Sequence, residues 1–296
     1  MAGTLFIVGG GMTESADEIF SAFIARAGGS ESKIAFVVTA SGDGPDELFR
    51  SYAADLYRLG LNEGNCVLLP VYSESVRDER GYNALTGDAD GLVELLEGVR
   101  GVWFTGGDQY YTAKAFLRPD GSDTALLAAL RHLYESGGVI GGSSAGAAIM
   151  SRVMIGEGSN RGVLAHGVRY GYEGYEERLE EENPCVPLLL AHGLGFFTHG
   201  VVDQHFNARP RLLRCIEACL ENRENARMGF AVSEDTALIY SEGKIDVLGG
   251  ACVYIVDCTR AVKAGPGCYD GVMLHAIQKG DGYDTQTDVV TLARAR

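Results

Sequence analysis

The chain is short of positive charge: 25 Lys and Arg stand against 40 Asp and Glu, for a formal net charge of -15. A general nucleic-acid binder needs basic surface to displace phosphate counterions, so that class is excluded. The balance permits a cationic substrate without demanding one, because acidity also serves solubility. Long apolar runs are missing too. None approaches the roughly 18 residues of a membrane span, and the most apolar candidate, VPLLLAHGLGFF, is interrupted by His192 and two glycines. The opening MAGTLFIVGGGMTES has no basic segment, and its run from Leu5 to Val8 is too short for a secretory leader. A cytoplasmic protein without membrane contact is expected. The 7 cysteines include no C-x-x-C pair, which points to reduced, mostly buried thiols. Cys215 and Cys219 share a helical spacing, but no further ligand set accompanies them, so core packing is expected rather than a metal site. The phosphate-loop pattern is absent. After Gly9-Gly10-Gly11 the third spaced glycine of a dinucleotide fingerprint is missing. That triplet is expected to be a strand-end turn, with Ser15 capping the next helix.

What the chain does contain is a repeating order of apolar strands and amphipathic segments. With 296 residues, 46% of them hydrophobic, it can bury a sizeable core. The runs TLFIVGG, KIAFVVTA, NCVLLPV, GVWFTGG and GGVIGGSS each predict a short buried strand. Between them, Ala16 to Ala27, Pro45 to Leu59 and Thr124 to Tyr134 carry apolar residues at helical spacing. Strands without strict polar alternation, separated by helices, imply a parallel sheet covered on both faces, an α/β doubly wound pattern. From Met228 onward, strands with tight turns at SEGK and LGG predict antiparallel hairpins at one sheet edge or in a small appended sheet. The segment 156–187 has little periodicity; the acid run it carries, EGYEERLEEENP, is expected to be a solvated loop or short helix. No linker or internal repeat is visible, so 1–296 is expected to be a single α/β domain.

Chemistry concentrates in VIGGSSAGAAIM, Val139 to Met150. Gly142-Ser143-Ser144-Ala145-Gly146 fits G-x-S-x-G between a strand and a helix, the context of a nucleophile elbow. The turn crowds the residues two before and two after the serine, so the frame selects Ser144 over Ser143. A glycine-rich turn without chemistry is the plainer reading, and the strand–turn–helix context favours the nucleophile. FTGGDQ, Phe104 to Gln109, is another strand running into glycines, able to point a backbone N–H at a substrate oxygen. A serine needs a base. Of the 6 histidines, His205 ends an apolar strand in GVVDQHFNARPRLLR, where sites gather in open α/β sheets, whereas His132 falls within a helix. Arg209, Arg211 and Arg214 follow it. Arginine suits bidentate capture of carboxylates, the alternative being neutralisation of acidic surface. From Arg211 a helix is expected, with Leu212, Ile216, Cys219 and Leu220 as its buried stripe and Arg211 and Arg214 sharing a face. SEDTALIY supplies Glu234 and Asp235 as candidates for the acid that orients the imidazole.

FTGGDQ, GGSSAGA, VVDQHFNARPRLLR and AVSEDTALIY, in this order, resemble the cyanophycinase family of serine peptidases, which also contains the α-aspartyl dipeptidase. The likeness runs from the first strand to about Asp257. It implies a glutamine-amidotransferase-like α/β sandwich with a mostly parallel central sheet flanked by helices, C-terminal antiparallel strands, and a homodimer. It implies a triad of Ser144, His205 and Glu234, and an oxyanion hole from the N–H groups of Gly107 and Ala145. Gln109, Asp203, Gln204, Arg209, Arg211 and Arg214 would line the substrate pocket. The implied substrate is cyanophycin, an aspartate backbone carrying arginine on each side-chain carboxyl, cut to β-Asp-Arg dipeptides without metal or organic cofactor. Two positions depart from the family pattern. Ser143 stands where threonine is usual, and Pro210 stands where the family often has glycine, fixing the backbone beside Arg209.

Other functions fit parts of the same pattern. A related peptidase for small aspartyl or isoaspartyl peptides would use the same triad. An α/β-hydrolase esterase would need the order Ser, acid, His, which Ser144, Asp257 and His275 could fill. A non-catalytic peptide-binding protein would carry a vestigial elbow. A glutamine amidotransferase would place a cysteine at Ser144.

Overall fold

Thr4–Val8, buried along its whole length, forms β1. The computed structural model describes residues 3–41, 44–71, 86–173, 184–222 and 227–293. There follow α1 (Ala16–Ala27), β2 (Lys33–Val37), α2 (Pro45–Arg58), β3 (Cys66–Leu68), β4 (Val99–Phe104), α3 (Gln109–Phe116), α4 (Ala125–Glu135), β5 (Val139–Ser143) and α5 (Ala145–Ala148). β1, β5, β4, β2 and β3 lie side by side in that order, every neighbouring pair parallel. These are the five apolar runs of the sequence. Parallel alignment gathers the turns after β1, β4 and β5 along one sheet edge.

Alternation along β1 divides the core. Phe6 and Val8 face α1 and α2, while Leu5 and Ile7 face α3, α4 and a second sheet. Helix α1 buries Ile19, Phe20, Phe23, Ile24 and Ala27, the stripe its spacing predicts. The Phe23 ring meets Phe6 and Trp103 edge-on at 5.3 and 5.1 Å. Such pairs contribute about 0.5–1.5 kcal/mol beyond area burial. The start of α1 corrects one expectation. Ser15 is the capping residue by position, yet its side chain makes no cap bond. Its hydroxyl donates instead to the Asp235 carboxylate at 2.9 Å.

The middle of the chain is more ordered than its sequence suggests. It forms β6 (Val153–Glu157), α6 (Asn160–His166), β7 (Val168–Tyr170) and β8 (Leu188–His192). These strands make a small sheet in the order β6-β8-β7. The run VPLLLAHGLGFF thus supplies a strand, and 156–170, where little periodicity is visible, holds a strand end, a helix and a strand. Pairing with a distant strand gives this stretch its structure, and local periodicity cannot show that. The acid run 174–183 lies outside the described residues.

β9 (Val201–Asp203) leads to α7 (Leu212–Glu221), β10 (Met228–Val232), β11 (Thr236–Ser241), β12 (Lys244–Gly249) and β13 (Cys252–Asp257). After these come β14 (Val262–Gly265), β15 (Cys268–Asp270), β16 (Met273–Gln278), β17 (Gly282–Asp284) and β18 (Val289–Thr291). Both placements foreseen for the C-terminal strands occur. β11, β12, β17 and β18 extend the main sheet antiparallel from β1, while β10, β13 and β16 join β9 in a separate four-stranded sheet. The SEGK turn has positive φ at Glu242 and Gly243, the twist a two-residue hairpin requires.

Helix α7 corrects the predicted stripe. Ile216 and Cys219 are buried, but Leu212 is exposed, and the buried face carries Arg214 and Glu217. Both charges are met by partners from elsewhere: Arg214 by Asp203, and Glu217 by Lys263 and the Tyr269 hydroxyl. The cysteines are all free, and only Cys215, Cys219 and Cys258 are buried, fewer than expected. Among the described residues no helix is long and apolar enough to cross a membrane.

Candidate active site

Ser144 links β5 to α5 in a backbone conformation that side chains avoid, φ 55° and ψ −111°. Such strain costs on the order of 1–3 kcal/mol and persists only where the surroundings enforce it. The enforcing contacts are local. A Cβ on Gly142 would lie 2.3 Å from the Gly146 carbonyl oxygen, and one on Gly146 would lie 2.3 Å from that of Phe104. The Ser144 N–H donates to the Val8 carbonyl at 3.0 Å, pinning the elbow to the end of β1. Ser143 is buried, while Ser144 is partly exposed at the sheet edge.

β9 and β10 are parallel neighbours, so the turns after them open on a common edge. His205, two residues past β9, has φ 49° and donates its backbone N–H to Gly9 O at 2.8 Å. Its Nε2 lies 2.8 Å from Ser144 Oγ, and its Nδ1 lies 2.5 Å from Glu234 Oε1. A carboxylate only accepts, so the Nδ1–H donates to Glu234 and Nε2 is left to accept from the serine hydroxyl. Glu234 is held by its backbone N–H, which donates to Asn207 Oδ1 at 2.9 Å. Burial lowers the His205 pKa below its ordinary value. The Glu234 hydrogen bond pulls it upward, and the charges of Arg209 and Arg211 push it down. The imidazole is therefore neutral near pH 7 and able to take a proton.

Two glycine turns shape the space around this chain of hydrogen bonds. A Cβ on Gly10 would lie 2.4 Å from His205 Cε1, and one on Gly11 would lie 2.9 Å from the Glu234 carboxyl carbon. The triplet Gly9–Gly11 is a strand-end turn, as expected, but its bareness also makes room for the imidazole and carboxylate. That role is invisible in the sequence without the contacts. On the other side, Gly106 packs against Ser144 and Gly107 has φ 133°. A side chain at Gly107 would strike the Ala40 carbonyl.

The remaining predicted residues divide into two groups. Asp203, Gln204, Arg211 and Arg214 are buried and engage one another. Arg214 Nε and Nη2 reach the two Asp203 oxygens at 3.0 and 2.5 Å, and its Nη1 donates to Gly158 O at 2.6 Å. Arg211 Nη1 donates to the Gln204 backbone and side-chain oxygens at 2.7 and 3.0 Å. Arg209 is only partly buried, its N–H donating to His205 O at 3.0 Å. Gln109 donates its side-chain amide to the carbonyls of Ile155 (3.2 Å) and Gly156.

A cavity of about 1180 Å³ lies between α3 and the β6-β8-β7 sheet, walled by Tyr110, Leu117, Tyr172 and Leu190. Ser144, His205 and Glu234 do not line it, so chemistry rather than volume marks the site. The esterase order is not assembled. Ser144 pairs with His205, while His275 lies on β16 opposite Ile255. No cluster of three or more His, Cys, Asp or Glu among the described residues is placed to hold a metal.

Ser144, His205 and Glu234 thus form one hydrogen-bonded chain at the sheet edge of an α/β scaffold. The model of peptidase family S51 matches residues 5–248, and the chain belongs to that family of serine-type peptidases. Over 285 residues it is 29% identical to a cyanophycinase of Synechococcus elongatus, covering 92% of this chain and 76% of that protein. It is 28% identical to a cyanophycinase of Geminocystis herdmanii, covering 91% of this chain and 89% of that one. A crystal structure of a peptidase from an acI-B1 Actinobacterium shares the fold. Its TM-score is 0.61 at 20% identity, over 96% of this chain and 97% of that chain.

Proposed function

We propose that the protein hydrolyses the aspartate backbone of cyanophycin to β-Asp-Arg dipeptides. The observation that carries this is the continuous contact from Ser144 Oγ through His205 to Glu234, in an S51 chain with cyanophycinase relatives. Ser144 attacks the scissile carbonyl as His205 Nε2 takes its proton, the C–N bond breaks as the imidazolium gives that proton to the leaving amine, and water, deprotonated by the same Nε2, then cleaves the acyl ester and restores the serine hydroxyl. Glu234 holds the tautomer and stabilises the imidazolium. The N–H groups of Gly107 and Ala145 stabilise the oxyanion. An oxyanion-hole donor contributes roughly 10²–10³ in kcat.

The substrate offers a free carboxylate and a guanidinium in every unit. Arg209, partly buried beside His205, is the cation of the cluster assigned to the carboxylate. Asp203 and Arg214 bind each other bidentately. We assign them to shaping the pocket wall, with Arg211 and Gln204 beside them and Gln109 tethered opposite. The experiment is product analysis on purified cyanophycin. Release of β-Asp-Arg that disappears in Ser144→Ala supports the reading. Cleavage of Asp-X dipeptides with intact polymer overturns it.

A further inference from the structure

Glu234 and Asp235 are adjacent carboxylates with divided duties. Glu234 faces His205. Asp235 turns the other way, toward the start of α1. Its Oδ1 accepts the N–H of Thr13 at 2.7 Å and of Ser15 at 3.0 Å, and its Oδ2 accepts the Ser15 hydroxyl at 2.9 Å. Its own N–H donates to Gly10 O at 2.9 Å. Asp235 also has φ 55°, a conformation for which Asp is better suited than most side chains but which still needs support. One of these bonds ties the residue after Glu234 to the strand-end turn that holds the His205 backbone through Gly9 O, and three tie it to Thr13 and Ser15 just beyond. Gly11, in the same turn, packs against the Glu234 carboxyl group. The base and its acid hang from one short segment, and Asp235 is the clasp.

We infer that Asp235 is a positioning residue. By anchoring its carboxylate on Thr13 and Ser15, the turn that leads into α1, it holds the strained backbone that keeps Glu234 against His205 Nδ1. The inference rests on the Ser144–His205–Glu234 reading. It goes beyond that reading by assigning the orientation of Glu234 to a residue that touches neither His205 nor substrate. The two carboxylates are not interchangeable, since Asp235 has its bonding capacity directed at α1.

The test uses inactivation by a serine-directed fluorophosphonate, which reports Ser144 reactivity without any natural substrate. The rate is followed against pH for the wild type, Asp235→Ala, Asp235→Asn and Ser15→Ala. Ser144, Glu234, Arg209 and Arg211 are the groups that face the imidazole and set its titration. In Asp235→Ala the Glu234 contact that raises the His205 pKa is lost. The plateau rate is expected to fall by roughly 10²-fold, the scale of a 1 Å misplacement, and the acid limb to move to lower pH. Asp235→Asn keeps an acceptor oxygen for the two backbone N–H groups and an amide to donate to Ser15 Oγ. It is expected to restore the limb and most of the rate, which separates geometry from loss of charge. Ser15→Ala removes one bond and should shift both quantities less, in the same direction. It decides the case if Asp235→Ala does not fold.

A structural role alone lowers the melting temperature and the active fraction and leaves the limb in place, and that result overturns the inference. So does an Asp235→Asn profile that coincides with Asp235→Ala. A wild type that the phosphonate does not label would instead overturn the triad reading itself, so the two failures are distinct.

Discussion

Arg214 and Asp203 form a bidentate ion pair with both side chains out of solvent, Nε to Oδ2 at 3.0 Å and Nη2 to Oδ1 at 2.5 Å. Asp203 is the last residue of β9, two positions before His205, so the pair ties α7 to the strand that leads into His205. Deleting one partner leaves a buried charge uncompensated, which typically costs about 3–5 kcal/mol. Asp203→Ala and Arg214→Ala are each expected to lose that much in urea unfolding. The double replacement should lose less than the sum. Single losses below about 1 kcal/mol would match an exposed pair and contradict the buried one.

The pH dependence follows from His205. Its pKa is lowered by burial, so the neutral, competent form persists below the ordinary histidine value of about 6.5. The rate constant kcat/KM is expected to rise with pH through a single acid limb whose midpoint lies under that value, then level off. A midpoint above 6.5 in the pH–rate profile would contradict the assignment.

Gly10 supplies a steric test. A methyl group there would sit 2.4 Å from His205 Cε1 and 2.5 Å from Nε2, at a backbone φ of 93°. Gly10→Ala is expected to displace the imidazole and cut kcat by roughly 10²-fold, with KM changed far less. A crystal structure of the variant should show the ring moved from Ser144. Unchanged kinetics would mean the turn yields freely.

Arg209 separates binding from chemistry. A charge-assisted hydrogen bond to a substrate carboxylate contributes about 1.5–3 kcal/mol. Arg209→Ala should therefore raise KM by one to two orders of magnitude, with a smaller change in kcat. The same substitution removes a cation that depresses the His205 pKa, so the acid limb should move upward. A purely structural arginine would change neither quantity in this pattern.

The elbow was legible because its constraint is local: Gly142 and Gly146 stand at fixed offsets from Ser144, and their Cβ positions are blocked. The five parallel strands were legible because buried strands leave uninterrupted apolar runs. His205 could be picked out by its place after a strand, although 61 residues separate it from Ser144. What escaped depends on contacts between distant segments. The spacing of residues leaves Glu234 and Asp235 equivalent, and the resemblance names Glu234 but gives Asp235 no task; the fold shows Glu234 facing His205 and Asp235 bonded to Thr13 and Ser15 ahead of α1. The apolar spacing of α7 predicted a stripe of Leu212, Ile216, Cys219 and Leu220, but Arg214 and Glu217 are buried on that helix. Asp203, Lys263 and Tyr269 satisfy them inside, and Leu212 takes the solvent side. Strand β7 is short and only partly buried along its length, and pairing with β8 supplies its structure.

The most direct test of the account is chromatographic and mass-spectrometric analysis of purified cyanophycin after incubation with the wild-type protein and with Ser144→Ala. The account predicts accumulation of β-Asp-Arg with the wild type and intact polymer with the variant. Intact polymer in both, from a wild type whose Ser144 is labelled by phosphonate, would contradict it.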